Sequence, residues 1–412
     1  MTVEVKLLST AETYESLNIE PKPLQPHILA AATVVYGDDF YSGQRETISL
    51  SGYVQLNKWP MPGFAHRVDE RGHAEFELEL ISAPEVGIKG FSYFLDDRVQ
   101  ILSNPYLPNT GHVRQIVPGK NFPAEFFIRR FGVLETSTLR LAHRDVIDIK
   151  GVIDGIPPYK QPLTSPMLGT PRGDGPDAVV PAPNVVRGIN LPEAWYPAND
   201  RNEPVGLTPT VFFAESIGPC MSMLVDPSLI IQSTMAGSIS LDVNGATAQV
   251  ELAGDHKLAA GAEILLFEPE KHRDGDGVLA QLARLALVGE CAPLGGRVMV
   301  RVSFFKPSGG TVGEGWEDSL GALRFPSELH LDAQLEIVTP TGVLYAASPT
   351  HVRGALPDVE VTGTELTKDG GDVALVTADG EFAAWLKAID LRLGEAQVGR
   401  VAHITPTPAL AG

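Results

Sequence analysis

Ser238-Ile-Ser-Leu-Asp-Val-Asn-Gly-Ala-Thr-Ala-Gln-Val-Glu-Leu252 decides the fold class. Ile239, Leu241 and Val243 alternate with polar residues into Asn244-Gly245, and Ala246, Ala248, Val250 and Leu252 alternate out of it. A period of two marks a strand with one buried and one wet face. Asn-Gly suits a type I′ turn, because both central residues of that turn need positive φ. The segment predicts an antiparallel hairpin.

The same period recurs along the chain. His73 to Leu80 places Ala74, Phe76, Leu78 and Leu80 on one face and Glu75, Glu77 and Glu79 on the other. Glu328 to Ile337 keeps Leu329, Leu331, Ala333, Leu335 and Ile337 in phase, and Arg297 to Phe305 does so through Val298, Val300, Val302 and Phe304. Buried parallel strands would read as continuous apolar runs, so these patterns point to antiparallel sheets. Helix signals are sparse. Asp276 to Val288 offers Asp276 as an N-cap and Val278, Leu279, Leu282, Leu285 and Ala286 as an apolar stripe, and Glu381 to Ile389 is a shorter candidate. With 41 glycines and 33 prolines punctuating the chain, the expectation is an all-β protein. It consists of two antiparallel β-sandwich or barrel-like units with one or two short helices.

A chain of 412 residues is longer than one core usually serves. Twelve of the 33 prolines fall in residues 157–209, which reads as a Pro-rich linker. It separates an N-terminal β unit, 1–156, from a C-terminal β unit, 210–412. A short echo links the two. Phe122-Pro-Ala-Glu125 precedes a run ending in Gly155-Ile-Pro-Pro158, and Phe325-Pro-Ser-Glu328 precedes one ending in Gly354-Ala-Leu-Pro357. The echo raises an internal duplication without establishing it.

Composition removes several functions. Lys and Arg number 32 against 51 Asp and Glu, a formal net charge of −19, so the basic footprint that holds phosphate backbones is missing and nucleic acid is excluded as a partner. The N-terminus lacks a basic region followed by an apolar core, and no apolar stretch is long enough for a membrane helix. A soluble, cytoplasmic protein with no membrane partner is expected. Cys220 and Cys291 are too few for a disulfide scaffold and read as small buried hydrophobes.

Strong catalytic motifs are absent: Gly-x-Ser-x-Gly, His-Glu-x-x-His, Cys-x-x-Cys and a phosphate-binding Walker loop do not occur. No cofactor is called for. Asp274-Gly-Asp276-Gly277 resembles the start of a calcium loop, but Leu279 and Leu285 stand where glycine and a bidentate carboxylate belong, so a capped helix start reads better. His143-Arg-Asp145 puts an imidazole and a carboxylate on one face of a strand. With His256 or His351 that pair would complete a two-histidine, one-carboxylate site for non-haem iron. Against it, His272-Arg-Asp274 repeats the tripeptide, and His143 lies in phase with Leu139, Leu141, Ile147 and Ile149 as an ordinary sheet residue. Tyr53, Trp59, Trp195, Tyr196 and Trp316 offer aromatic walls for an apolar ligand. The candidate catalytic residues are His143 and Asp145 with Tyr53 and Trp59.

Three runs carry a resemblance: Glu46-Thr-Ile-Ser-Leu-Ser-Gly-Tyr53, Val86-Gly-Ile88 ahead of Ser103-Asn-Pro105, and Gly151-Val-Ile-Asp-Gly-Ile-Pro-Pro158. Through Pro158 the chain resembles a family of actinobacterial proteins of unassigned function, often associated with secondary-metabolite gene clusters. The likeness rests on glycines, prolines and strand residues, and the family offers no agreed catalytic residues to transfer. It implies a soluble bacterial β protein that acts on, or holds, a specialised metabolite or its carrier-bound precursor.

Two readings of function stay open. In one, a β unit encloses an apolar pocket, and a cofactor-independent cyclase or isomerase folds a polyketide-like or terpenoid-like substrate there. In the other, the protein is a non-catalytic ligand carrier or assembly module. The partners expected are a small hydrophobic molecule and, in a homodimer, a second copy of the chain.

Overall fold

The computed structural model describes residues 27–36, 45–53, 55–58, 67–81, 88–104, 106–107, 109–120, 122–130, 132–143, 147–153, 162–164, 170–171, 179–180, 194–201, 203–204, 211–213, 221–225, 227–255, 258–267, 273–274, 277–303, 308–313, 326–357 and 361–400. Among them there is no α-helix. Strands of the first sheet are β1 (His27–Tyr36), β2 (Arg45–Tyr53), β3 (Gln55–Lys58), β4 (Arg67–Val68), β5 (Ala74–Ile81), β6 (Ile88–Ser92), β7 (Asp97–Ser103), β8 (Asn109–Gln115) and β9 (Ala124–Arg130). It continues through β10 (Gly132–Glu135), β11 (Arg140–His143), β12 (Ile147–Ile153), β13 (Pro162–Thr164), β16 (Ala194–Pro197), β17 (Val211–Phe213) and β18 (Met221–Val225). Two short strands, β14 (Thr170–Pro171) and β15 (Val179–Val180), pair with each other. Residues 157–209 therefore contribute β13 and β16 to the first sheet, with Pro162 opening its strand, a position where a missing N–H is tolerated.

The second sheet begins at Pro227. It holds β19 (Pro227–Val243), β20 (Ala246–Gly254), β21 (Ala262–Phe267), β22 (Arg273–Asp274), β23 (Gly277–Cys291), β24 (Gly296–Val302) and β25 (Ser308–Val312). After these come β26 (Ser327–Ala333), β27 (Leu335–Thr339), β28 (Gly342–Ala346), β29 (Thr350–Leu356), β30 (Glu365–Asp369), β31 (Val373–Val376) and β32 (Phe382–Arg400). The hairpin at Asn244-Gly245 forms as the sequence predicts, with Ile239 opposite Val250, Leu241 opposite Ala248, and φ of 53° and 82° at the turn.

The second sheet closes on itself twice. One ring runs β19–β20–β23–β24–β27–β28–β31–β32 and returns to β19; the other runs β19–β21–β23–β25–β26–β29–β30–β32 and also returns to β19. These are two barrels that share three long strands. The first sheet repeats the scheme as the ring β1–β2–β6–β7–β10–β11–β16–β17 and, open between β3 and β1 among the described residues, as β1–β18–β13–β12–β9–β8–β5–β3, with β17 and β18 sharing one edge of β1.

Strand order thus makes the two units structural repeats. The FPAE and FPSE segments run into β9 and β26, which hold the same place in their rings. Gly90 and Gly289 sit at matching positions, each with its missing Cβ against a neighbouring carbonyl, of Ser49 and Glu251 respectively. Gly111 and Gly310 match in the same way against the carbonyls of Phe127 and His330. The other half of the echo falls out of register. Ile153 pairs with Ala124 and Leu356 with Ser327, so the counterpart of Gly354-Ala-Leu356 is Gly151-Val-Ile153.

Both expected helices are strands. In β23 the residues in the core of the unit are Ala280, Leu282, Leu285, Leu287 and Cys291, and in β32 they are Ala384, Leu386, Ile389, Leu391 and Leu393. Each series skips one residue, because Ala283 and Lys387 are extra residues facing no partner on the adjoining strand. A bulge adds one residue to a period of two, and the resulting spacing of two, then three, mimics a helical stripe. Asp274, read as part of a helix start, instead sits opposite Gly277 where β22 meets β23. Glu328 to Ile337, which reads as one strand, breaks at Gln334, where the chain passes from β26 in one barrel to β27 in the other.

The second unit is filled. Its interior is one cluster of Leu, Ile, Val, Ala and Met side chains with Cys291, and burial raises the pKa of that thiol. A void between Met235, Leu285, Val300 and Leu391 is about 10 Å³, at the lower limit for a single water. At that point the described core residues leave no room for an apolar ligand.

The two units meet along β2 and β6 of the first and β23, β24 and β27 of the second. Phe91 and Tyr93 pack with Ala260, Ala286, Met299 and Val338. The Tyr93 hydroxyl donates to the Arg297 carbonyl (2.7 Å), and Arg297 Nη1 donates to the Tyr93 carbonyl (2.8 Å). Arg297 also pairs with Asp96 and lies over the Tyr93 ring, 5.0 Å from its centroid.

Candidate functional site

A row of side chains crosses the outer face of five strands in the second unit. Arg301 on β24 is opposite Glu336 on β27, Glu336 opposite Tyr345 on β28, Tyr345 opposite Val376 on β31, and Val376 opposite Phe382 on β32. Residues directly opposite in antiparallel strands share a face. The flanking Val300, Ile337, Leu344 and Leu375 are in the core, so this row points outward.

At one end the row is buried beneath the first unit. Arg301 Nε and Nη2 each donate to Glu336 Oε2 at 2.8 Å. Nη1 of the same guanidinium donates to the carbonyl of Thr47 on β2. Both side chains of the pair are less than a tenth exposed. Beside them a cleft of about 310 Å³ opens, lined by Ser303, Gln334, Glu336, Tyr345, Val376 and Thr377 among others. That volume falls at the lower end of small-molecule sites.

Tyr345 is the group in the cleft with a perturbed proton affinity. Burial raises its pKa above 10.0, the nearby Glu336 carboxylate raises it further, and Arg301 partly offsets both. No hydrogen bond to its hydroxyl is found among the described residues. The cleft therefore presents a protonated phenol, able to donate one hydrogen bond, beside a carboxylate already committed to arginine.

The repeat supplies an internal comparison. Matching the pairings places Leu102, Val133 and Ala142 in the first unit where Arg301, Glu336 and Tyr345 stand in the second. All three are buried, with Leu102 at 6%, Val133 at 1% and Ala142 at 0% exposure. The fold makes the same strand contacts there without a charge or a hydroxyl.

Trp59 and Asp145 are outside the described residues, as is His256. Tyr53 ends β2 opposite His27, and His143 ends β11 opposite Trp195. Those two strands stand four places apart in a ring of eight, on opposite walls. The position of His143 corresponds to Ala346 in the second unit, which faces the core. His351 is exposed on β29, in the other sheet, and hydrogen-bonded to Asp332.

Residues 7–405 match a family of unknown function, DUF6004. The chain belongs to that family. DUF6004 spans both units, so the family relationship is not confined to the N-terminal part from which the sequence resemblance was read. No curated protein matches the chain. Among solved structures, DynF from the dynemicin biosynthesis pathway of Micromonospora chersina is similar at 15% identity, covering 43% of this DUF6004 chain and 82% of DynF, with a TM-score of 0.33. No helix among the described residues is long and apolar enough to cross a membrane.

Proposed function

We propose that this DUF6004 protein is a small-molecule-binding β protein whose ligand occupies the cleft at Tyr345, with the phenol donating a hydrogen bond to an oxygen of that ligand. One observation carries the reading: the polar row of the second unit is replaced by Leu102, Val133 and Ala142 in the repeat, so the fold itself does not call for it. Buried ion pairs are seldom kept for stability alone, since apolar pairs of similar volume do as well or better. The cleft at Tyr345 offers about 310 Å³ on the outer face, against about 10 Å³ in the core void of the same unit.

The same donor suits cofactor-independent chemistry. A phenol aimed at a ligand carbonyl would hold the oxygen as negative charge grows on it during enolisation or ring closure. The specialised-metabolite context implied by the sequence resemblance is compatible with such a ligand. Titration with the trihydroxyanthraquinone emodin, followed by its fluorescence, tests the site. The native chain is expected to bind, and Tyr345→Phe, which removes only the hydroxyl, to weaken binding about five- to tenfold, the worth of one hydrogen bond. No binding by the native chain, or unchanged affinity in Tyr345→Phe, would remove the cleft from consideration.

A further inference from the structure

We infer that the ligand is a linear, flat polycyclic aromatic molecule, long enough to run from the cleft at Glu336 and Tyr345 onto a platform made by Phe382 and Trp385; this rests on the binding reading above. Three observations lead there. Phe382 closes the cross-strand row, directly opposite the cleft residue Val376. Trp385 stands on the same outer face, its ring centroid 5.2 Å from that of Phe382. Both rings are open to solvent, Phe382 at 54% and Trp385 at 39%.

Among the described residues, the core cluster of the second unit contains no Phe, Tyr or Trp. The aromatic side chains described in that unit, Tyr345, Phe382 and Trp385, all belong to this one face. Rings left this open to solvent add less packing than buried ones, and grouped beside a cleft they supply a stacking surface.

The spacing sets the length. Neighbouring strands lie about 4.8 Å apart, so three steps from β27 to β32 span about 14 Å. A molecule confined to the cleft would leave the platform unused. A rod of fused rings with a carbonyl oxygen at the inner end would take the Tyr345 hydrogen bond there and stack on Phe382 and Trp385 at the outer end. Its middle would cross Val376, an apolar side chain that imposes no further polar demand.

Two probes of different length test this, 2-naphthol and the linear four-ring 6-hydroxy-5,12-naphthacenequinone, titrated against tryptophan fluorescence. The four-ring probe is expected to bind the native chain about tenfold more tightly, the worth of one or two aromatic contacts. The double variant Phe382→Ala, Trp385→Ala should lose that advantage and keep its affinity for 2-naphthol, read by displacement of emodin because Trp385 is gone. Tyr345→Phe should weaken both probes. Equal affinity of the two probes for the native chain, or a four-ring affinity untouched by the double variant, would overturn the platform and leave the cleft standing. If Tyr345→Phe leaves both probes unaffected, the cleft reading fails as well. Both platform side chains are exposed, so thermal unfolding of the double variant should match the native chain and exclude misfolding as the cause.

Discussion

Gly111 and Gly310 show how closely two separate stretches of chain obey one geometry. Each lies on a strand whose neighbour brings a carbonyl to the place a Cβ would fill, that of Phe127 in one unit and of His330 in the other. Substitution by alanine forces the strands apart at that point. Gly111→Ala and Gly310→Ala are each expected to destabilise the protein by about 1–3 kcal/mol, the usual cost of overpacking a close contact. Urea midpoints measure it, and an unchanged midpoint for either variant would show that the backbones can separate at little cost. The alternation of Phe76 and Leu78 with Glu75, Glu77 and Glu79 was legible residue by residue, because a half-buried strand writes its two faces directly into the sequence. Glu336 was not legible. In the alternation of residues 328–337 it falls in the outward phase with Glu328, His330 and Asp332, which are exposed, yet it is 4% exposed itself because the first unit covers it. Nothing local to residues 328–337 distinguishes the covered carboxylate from the wet ones.

Among the elements, β32 is the one whose sequence misleads most. Its core residues switch phase at Lys387, which stands between Leu386 opposite Leu241 and Ala388 opposite Ser240. Deleting Lys387 would place either Ala384 and Leu386 or Ile389, Leu391 and Leu393 on the outer face, since a slip of one residue exchanges the faces of a strand. The expected outcome is loss of the cooperative thermal transition followed by circular dichroism. Deletion of Gly371, in the exposed turn before β31, should preserve that transition. A deletion of Lys387 that melts like the native chain would mean that the register is held elsewhere. The hairpin around Asn244-Gly245 was readable because its turn chemistry and its alternation agree. The candidate site was not, because its row draws on five strands from Arg301 to Phe382 and leaves no motif within any one of them.

For the molecule as a whole, the junction between the units depends on a charge pair that the repeat manages without. Arg301 reaches both Glu336 and the Thr47 carbonyl across the junction. Arg301→Met leaves a buried carboxylate uncompensated and is expected to cost about 3–5 kcal/mol. Arg301→Met combined with Glu336→Leu restores the apolar pairing that Leu102 and Val133 show in the first unit, and should recover most of that loss. Chemical denaturation of the two variants decides: a double variant no more stable than the single one would mean that the charges hold the junction in a way the first unit does not reproduce. The duplication became visible only from strand order, since beyond Phe-Pro-x-Glu the matching residues, such as Gly90 with Gly289 and Gly111 with Gly310, are isolated glycines that form no motif.

The three strands common to both barrels of the second unit have a consequence for how that unit comes apart. β19, β23 and β32 each run from one barrel wall into the other, so neither barrel can lose its wall while its neighbour keeps one. In the first unit the places of β23 and β32 are each taken by two shorter strands, β5 with β6 and β17 with β18. The C-terminal half is thus joined like a plywood panel whose grain crosses the seam, and its backbone amides should exchange with solvent as a single block. The N-terminal half has a seam along which one barrel can open while the other remains shut.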